Sequence, residues 1–102
     1  MKEYDLYIPL KYNDGSPVEP RALRDLQRTL VAQFGGLTFF PQPNQGFWIA
    51  GGVTFRDAIV IYRVVAEKAR TARRFLRRLK EKLKRSLKQE EIFIVERDVK
   101  VL

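Results

Sequence analysis

The residues best suited to chemistry in this sequence are the cations between Lys68 and Lys88. That segment holds 11 of the 20 Lys and Arg residues and one acid, Glu81. It carries +10, the rest of the chain sums to −2, and the whole is +8. Charge spread evenly would serve solubility. Charge gathered on one element points to a polyanionic partner. Arginine is prominent in it, and a planar guanidinium grips phosphate oxygens in two places where an ammonium offers a point charge.

Geometry sorts these cations from their neighbours. A helix turns about 100° per residue. With Ala72 as origin, Phe75, Leu76, Leu79, Leu83 and Leu87 fall within about 60° of one line, a stripe to be buried. Arg70, Arg74, Arg77, Arg78, Lys84, Arg85 and Lys88 fall opposite and form the candidate polyanion-binding set. Lys80 and Lys82 flank the stripe and can lay their stems along it. The plain alternative is the solvated face of a packing helix. Such faces usually mix signs, each Glu–Lys pair at i,i+4 adding about 0.2–0.5 kcal/mol. Here Arg70–Arg74, Arg74–Arg77 and Arg74–Arg78 are like-charged neighbours, offset on that row only by Arg77–Glu81 and Glu81–Arg85. Lys84, Arg85 and Lys88 suit the negative end of the helix dipole, which leaves Arg70 to Arg78 unaccounted for.

Nucleic acid or another polyanion is the expected partner, with nucleic acid held by its backbone without reading of bases; the alternative is a homo-oligomeric scaffold or partner-binding module with no catalytic role. No zinc-ligand pattern, helix-turn-helix spacing or RNP-type aromatic strand is present. An acidic protein or an anionic membrane surface are the other polyanions. Phe47 and Trp48 are candidates for stacking on unpaired bases, with packing as core or interface the alternative.

Catalysis has few materials. The chain has no His and no Cys, so the commonest general base, thiolate metal sites and His relays are excluded. Asp5, Asp57 and Asp98 lie near strand ends, where a nuclease of the carboxylate–metal type would place its ligands. Magnesium wants converging carboxylates, and the sequence shows no convergence. "FGGLTFF" and "AGGVTF" lack the Lys and the strand–loop–helix setting of a phosphate-binding loop. No catalytic residue, metal site or cofactor is assigned.

The elements that must position the cations follow from periodicity. "EYDLYIPL" alternates as a strand. Pro20 to Phe34 reads as a helix, opened by Pro20, striped by Leu23, Leu26, Leu30 and Phe34, and stopped by Gly35-Gly36. "LTFF" and "GFWIA" read as two short strands joined through a turn at "PQPNQ", with Gly46 letting the chain turn back. "AIVIYRVVAE" is a central strand, the basic helix runs from Ala66 or Arg70 to Leu87, and "EEIFIVERDVKVL" supplies a last strand. The order is β-α-β-β-β-α-β. Without the short "GFWIA" strand it is the split β-α-β of ferredoxin-like folds, a mainly antiparallel sheet with two helices on one face. One α+β ferredoxin-like domain over residues 1–102 is predicted.

The stretch "FGGLTFFPQPNQGFW" resembles the pattern of small bacterial proteins of unknown function in which a helix ends in F-x-G-L-T and a G-x-W follows after a short gap. The similarity extends through the apolar strand after the Trp and into "KQEEIFIVERDV". It implies a ferredoxin-like α+β fold and no activity. The added Lys and Arg of the second helix depart from that pattern.

The uncovered sheet face is the remaining oddity. Ile59, Ile61 and Val65 share it with Arg63, and Phe93, Val95 and Val99 add to it from the last strand. Either the Phe47-Trp48 hairpin folds over this surface or a second copy covers it, making a homodimer joined sheet to sheet or edge to edge. The N-terminus lacks a signal-peptide pattern and no run approaches the ~20 apolar residues of a membrane span, so a cytoplasmic protein is expected.

Overall fold

Alternation in β1 (Lys2–Pro9) sends Tyr4, Leu6 and Ile8 to one side of the sheet and Glu3, Asp5 and Tyr7 to the other. The computed structural model describes residues 1–102, the side chain of Ala50 excepted. Helix α1 (Pro20–Phe34) starts at the proline and ends where Gly35 takes φ 78°, its N–H donating to the Val31 carbonyl at 2.8 Å. Only a glycine enters that left-handed conformation without strain. Strands β2 (Thr38–Ala50) and β3 (Val53–Ala66), helix α2 (Ala69–Ser86) and strand β4 (Phe93–Asp98) follow.

The sheet order is β2-β3-β1-β4, every neighbouring pair antiparallel. This α+β architecture is consistent with a ferredoxin-like arrangement. Tyr4, Leu6 and Ile8 lie opposite Val64, Tyr62 and Val60, and all six are buried with Leu26 and Leu30 of α1 and Ala72, Leu76, Leu79 and Leu83 of α2. Both helices therefore cover the same sheet face, and Phe34 of α1 meets Phe75 of α2 edge to face at 5.6 Å. Each leucine removed from water contributes about 1.5–3 kcal/mol, which outweighs the repulsion among the arginines above them.

One expectation is corrected. "LTFF" and "GFWIA" are not two strands around a turn but parts of the single strand β2, with its register shifted between Phe40 and Asn44. The order is therefore β-α-β-β-α-β. Pro41 and Pro43 are tolerated because β2 is an edge strand, where an outward N–H has no ladder partner to lose, and the irregularity absorbs the mismatch. The turn comes later, at Gly51 (φ 57°) and Gly52 (φ 77°). Two successive left-handed residues make the two-residue hairpin loop whose twist matches the strands. Gly46 lies within the ladder opposite Asp57 and makes no turn.

Beyond the Pro9–Ile59 pair, β1 stops while β2 and β3 continue. Residues 45–57 thus form a two-stranded arm that projects past the sheet and does not fold over it. No helix among the described residues is long and apolar enough to cross a membrane.

Candidate polyanion interface

Helix α2 is 18 residues long, about 27 Å at 1.5 Å per residue. It begins poorly by local criteria. Lys68 offers no side-chain cap, no acid stands in the first turn, and Arg70 faces the positive end of the dipole. Its end is better made. The N–H groups of Lys88 and Gln89 donate to the carbonyls of Arg85 and Lys84 at 3.3 and 2.9 Å, closing a Schellman-type stop. Lys88 occupies the left-handed position of that motif at φ 53°, where glycine would sit without cost.

The leucine stripe fixes which cations face outward. Arg70, Arg74, Arg77, Arg78 and Arg85 are all exposed, and no carboxylate pairs with any of them among the described residues. Cations nearer the sheet edge behave differently. Arg73 donates two hydrogen bonds to Glu96 of β4, at 2.7 and 2.8 Å, and Lys80 pairs with Glu91 at 2.9 Å. The Arg73 guanidinium, helped by the Tyr4 hydroxyl, holds the Glu96 carboxyl down at about 2. Burial, then the bond to Glu96, pushes Tyr4 up to about 12. Two predicted members are weaker than the rest. Lys84 is half-buried and 3.6 Å from Glu81, and Lys88 lies close enough to Asp14 and Glu19 to add to the lowering of their carboxyls that hydrogen bonds from Ser16 and Tyr12 mainly cause. Arg70, Arg74, Arg77, Arg78 and Arg85 remain as the working surface, spread over about 22 Å of helix. A shallow groove of about 240 Å³ runs beside them, lined by Tyr4, Arg73, Leu76, Arg77, Lys80 and Glu96.

Phe47 and Trp48 are not brought to this surface. Helix α2 packs towards β4, whereas the arm extends β2 and β3. Phe47 is 66% exposed. Trp48 already stacks on Phe55 at 4.6 Å, and its indole N–H donates to Asp57 at 2.7 Å. One ring face of Trp48 is thereby occupied.

Sequence reasoning missed an ion cluster on the open sheet face. Asp5 is only 2% exposed. Arg63 donates to both its oxygens, Nε to Oδ1 at 2.7 Å and Nη2 to Oδ2 at 2.9 Å, and Arg97 Nη1 donates to Oδ2 at 2.9 Å. Glu3 lies 3.3 Å from each guanidinium, and Arg63 packs over the Phe40 ring at 5.0 Å. The Arg63 hydrogen bond, against burial, holds the Asp5 carboxyl below its usual range. A signal was present: Glu3 and Asp5 share one strand face, and in-register pairing sets Asp5 beside Arg63 and Glu3 beside Arg97.

The carboxylates considered for metal chemistry do not converge. Asp5 is engaged by two arginines, Asp57 by Trp48 on the arm, and Asp98 by Lys2 at the far end of β1. Among the described residues, no three His, Cys, Asp or Glu side chains gather where a metal ion would bind. No family model, curated protein or solved structure matches this chain.

Proposed function

We propose that the outer face of α2 binds the phosphate backbone of nucleic acid without reading base sequence. The observation that carries this is the run of exposed guanidinium groups at Arg70, Arg74, Arg77, Arg78 and Arg85, five on one helix with no acid partner among the described residues, whereas Arg63, Arg73 and Arg97 are matched to acids and Arg56 stands alone on β3. Like charges held side by side on a rigid helix raise its free energy, and counterion release on contact with phosphates returns that and more. A single helix face whose outward groups are mainly guanidiniums offers position without base discrimination.

The test is binding of a short duplex and a short single strand across a salt series, followed by fluorescence anisotropy. Five backbone contacts predict a slope of log K on log salt of about −4 to −5 for duplex, with little dependence on sequence. The variant R70E/R74E/R77E is expected to bind at least 100-fold more weakly with a slope near −2. Unchanged affinity in a folded triple variant sinks the proposal.

A further inference from the structure

The sheet face opposite the helices is a second surface, and its register is ordered. Phe40 of β2 lies opposite Ile61 of β3, Ile61 opposite Tyr7 of β1, and Tyr7 opposite Phe93 of β4. One apolar row therefore crosses all four strands. Tyr7 and Phe93 touch, with ring centroids 6.0 Å apart, and Phe93 is 66% exposed. Alternation along β3 continues this face onto the arm through Ile59, Phe55 and Val53, where Trp48 pairs with Phe55. Val53 at the arm tip is 54% exposed on this face, and Ile49 on the other side of the tip is 73% exposed.

Area says that this surface is meant to be covered. A folded monomer of 12.0 kDa should expose about 6,000 Å², and this chain exposes 7301 Å². The surplus exceeds the ~800 Å² that each partner loses in an ordinary specific interface. Charge says what covers it. Each copy bears +8, so two copies repel through most orientations. On the open sheet face the charges of Glu3 and Asp5 cancel those of Arg63 and Arg97. The four-stranded part of that face is a neutral apolar field, where a second copy approaches without net repulsion, and the arm adds one negative charge at Asp57, hydrogen-bonded by Trp48. A nucleic-acid strand finds no net attraction there.

We infer that two copies of this chain pack open sheet face to open sheet face about a two-fold axis, the arms reaching across the partner, so that the two α2 ridges point in opposite directions and bridge two separate nucleic-acid segments. The bridging rests on the backbone-binding reading above, whereas the dimer does not. Stacked sheets lie about 10 Å apart and each carries a helix layer about 10–12 Å thick, so the ridges stand more than about 30 Å apart on opposite sides of the dimer. One straight duplex cannot touch both.

Light-scattering mass at micromolar concentration and a bead assay test this together. In the assay an immobilised duplex captures a second, labelled duplex only through the protein. The wild-type chain is expected at about 24 kDa, twice its 12.0 kDa, and to bridge. Phe93→Asp, on an exposed edge-strand position, is expected to run near 12 kDa, to bind one duplex and to lose bridging. Phe55→Asp on the arm, outside the core, should do the same, and circular dichroism checks that each is folded. R70E/R74E/R77E should stay dimeric and lose both binding and bridging. A monomeric wild type overturns the dimer even if it binds duplex. A dimer indifferent to both Asp substitutions overturns the choice of face. A dimer that binds no duplex leaves the interface standing and removes the backbone reading. A dimer that binds duplex but captures no second one overturns the opposed arrangement of ridges.

Discussion

Arg63 and Arg74 are the same side chain in opposite circumstances. Arg63 rises from the middle of the sheet with Asp5 2.7 Å away, Glu3 at 3.3 Å and an aromatic ring beneath it. Arg74 stands on α2 with arginines as its neighbours and no acid partner among the described residues. The first is part of what the fold is. The second is carried by the fold at a small cost. A cation that stabilises its own protein is matched in register across strands, and one left unmatched on a well-packed helix is available to something else.

Breaking the matched set should have the largest effect. Asp5→Ala leaves two guanidinium groups without their main acceptor at a buried site, and a stability loss of about 3 kcal/mol is expected in urea unfolding. Arg74→Ala should change stability by no more than about 0.5 kcal/mol and weaken duplex binding instead. Equal effects of the two on stability would erase the contrast.

Acid comes next. The carboxyls of Glu96, at about 2 against an ordinary 4.5, and of Asp5 are both depressed in the folded state. Stability they provide is present above their unfolded values and is lost as pH falls through about 4.5 towards 2. Melting temperature should therefore drop over that range, and Glu96→Gln should flatten the drop.

A third change acts on the helix end. Lys88→Gly relieves the left-handed strain and should raise stability by about 1 kcal/mol while weakening duplex binding slightly. The smallest effect is expected from Glu81→Gln. It removes the one acid of the basic face and should raise duplex affinity two- to five-fold at low salt, an increment that vanishes as salt screens it.

How much of this was legible beforehand varies by element. Helix α1 could be bounded to the residue because a proline and a glycine pair punctuate it. The outward set on α2 was readable because its leucine stripe leaves one rotation about the axis. The pairing of Arg73 and Lys80 was hidden, since Glu96 and Glu91 lie 23 and 11 residues further on and meet them only through tertiary packing. The hairpin was misplaced because "PQPNQ" has stronger turn residues than "AGGV". What tolerates those prolines, an edge position, is a property of the sheet and not of the segment. The expected charge of the open face was short by three, because Glu3, Asp5 and Arg97 join Arg63 only once β1 is set between β3 and β4.

That central place of β1 has a consequence for how the chain is born. Its two neighbours are residues 59–66 and 93–98, so the first strand synthesised waits for nearly the last before the sheet is whole. At about 5–20 residues per second the delay is several seconds. During it, the leucine stripe of α2 and its arginines leave the ribosome together, before β4 closes the sheet and before Glu96 and Glu91 arrive to pair with Arg73 and Lys80.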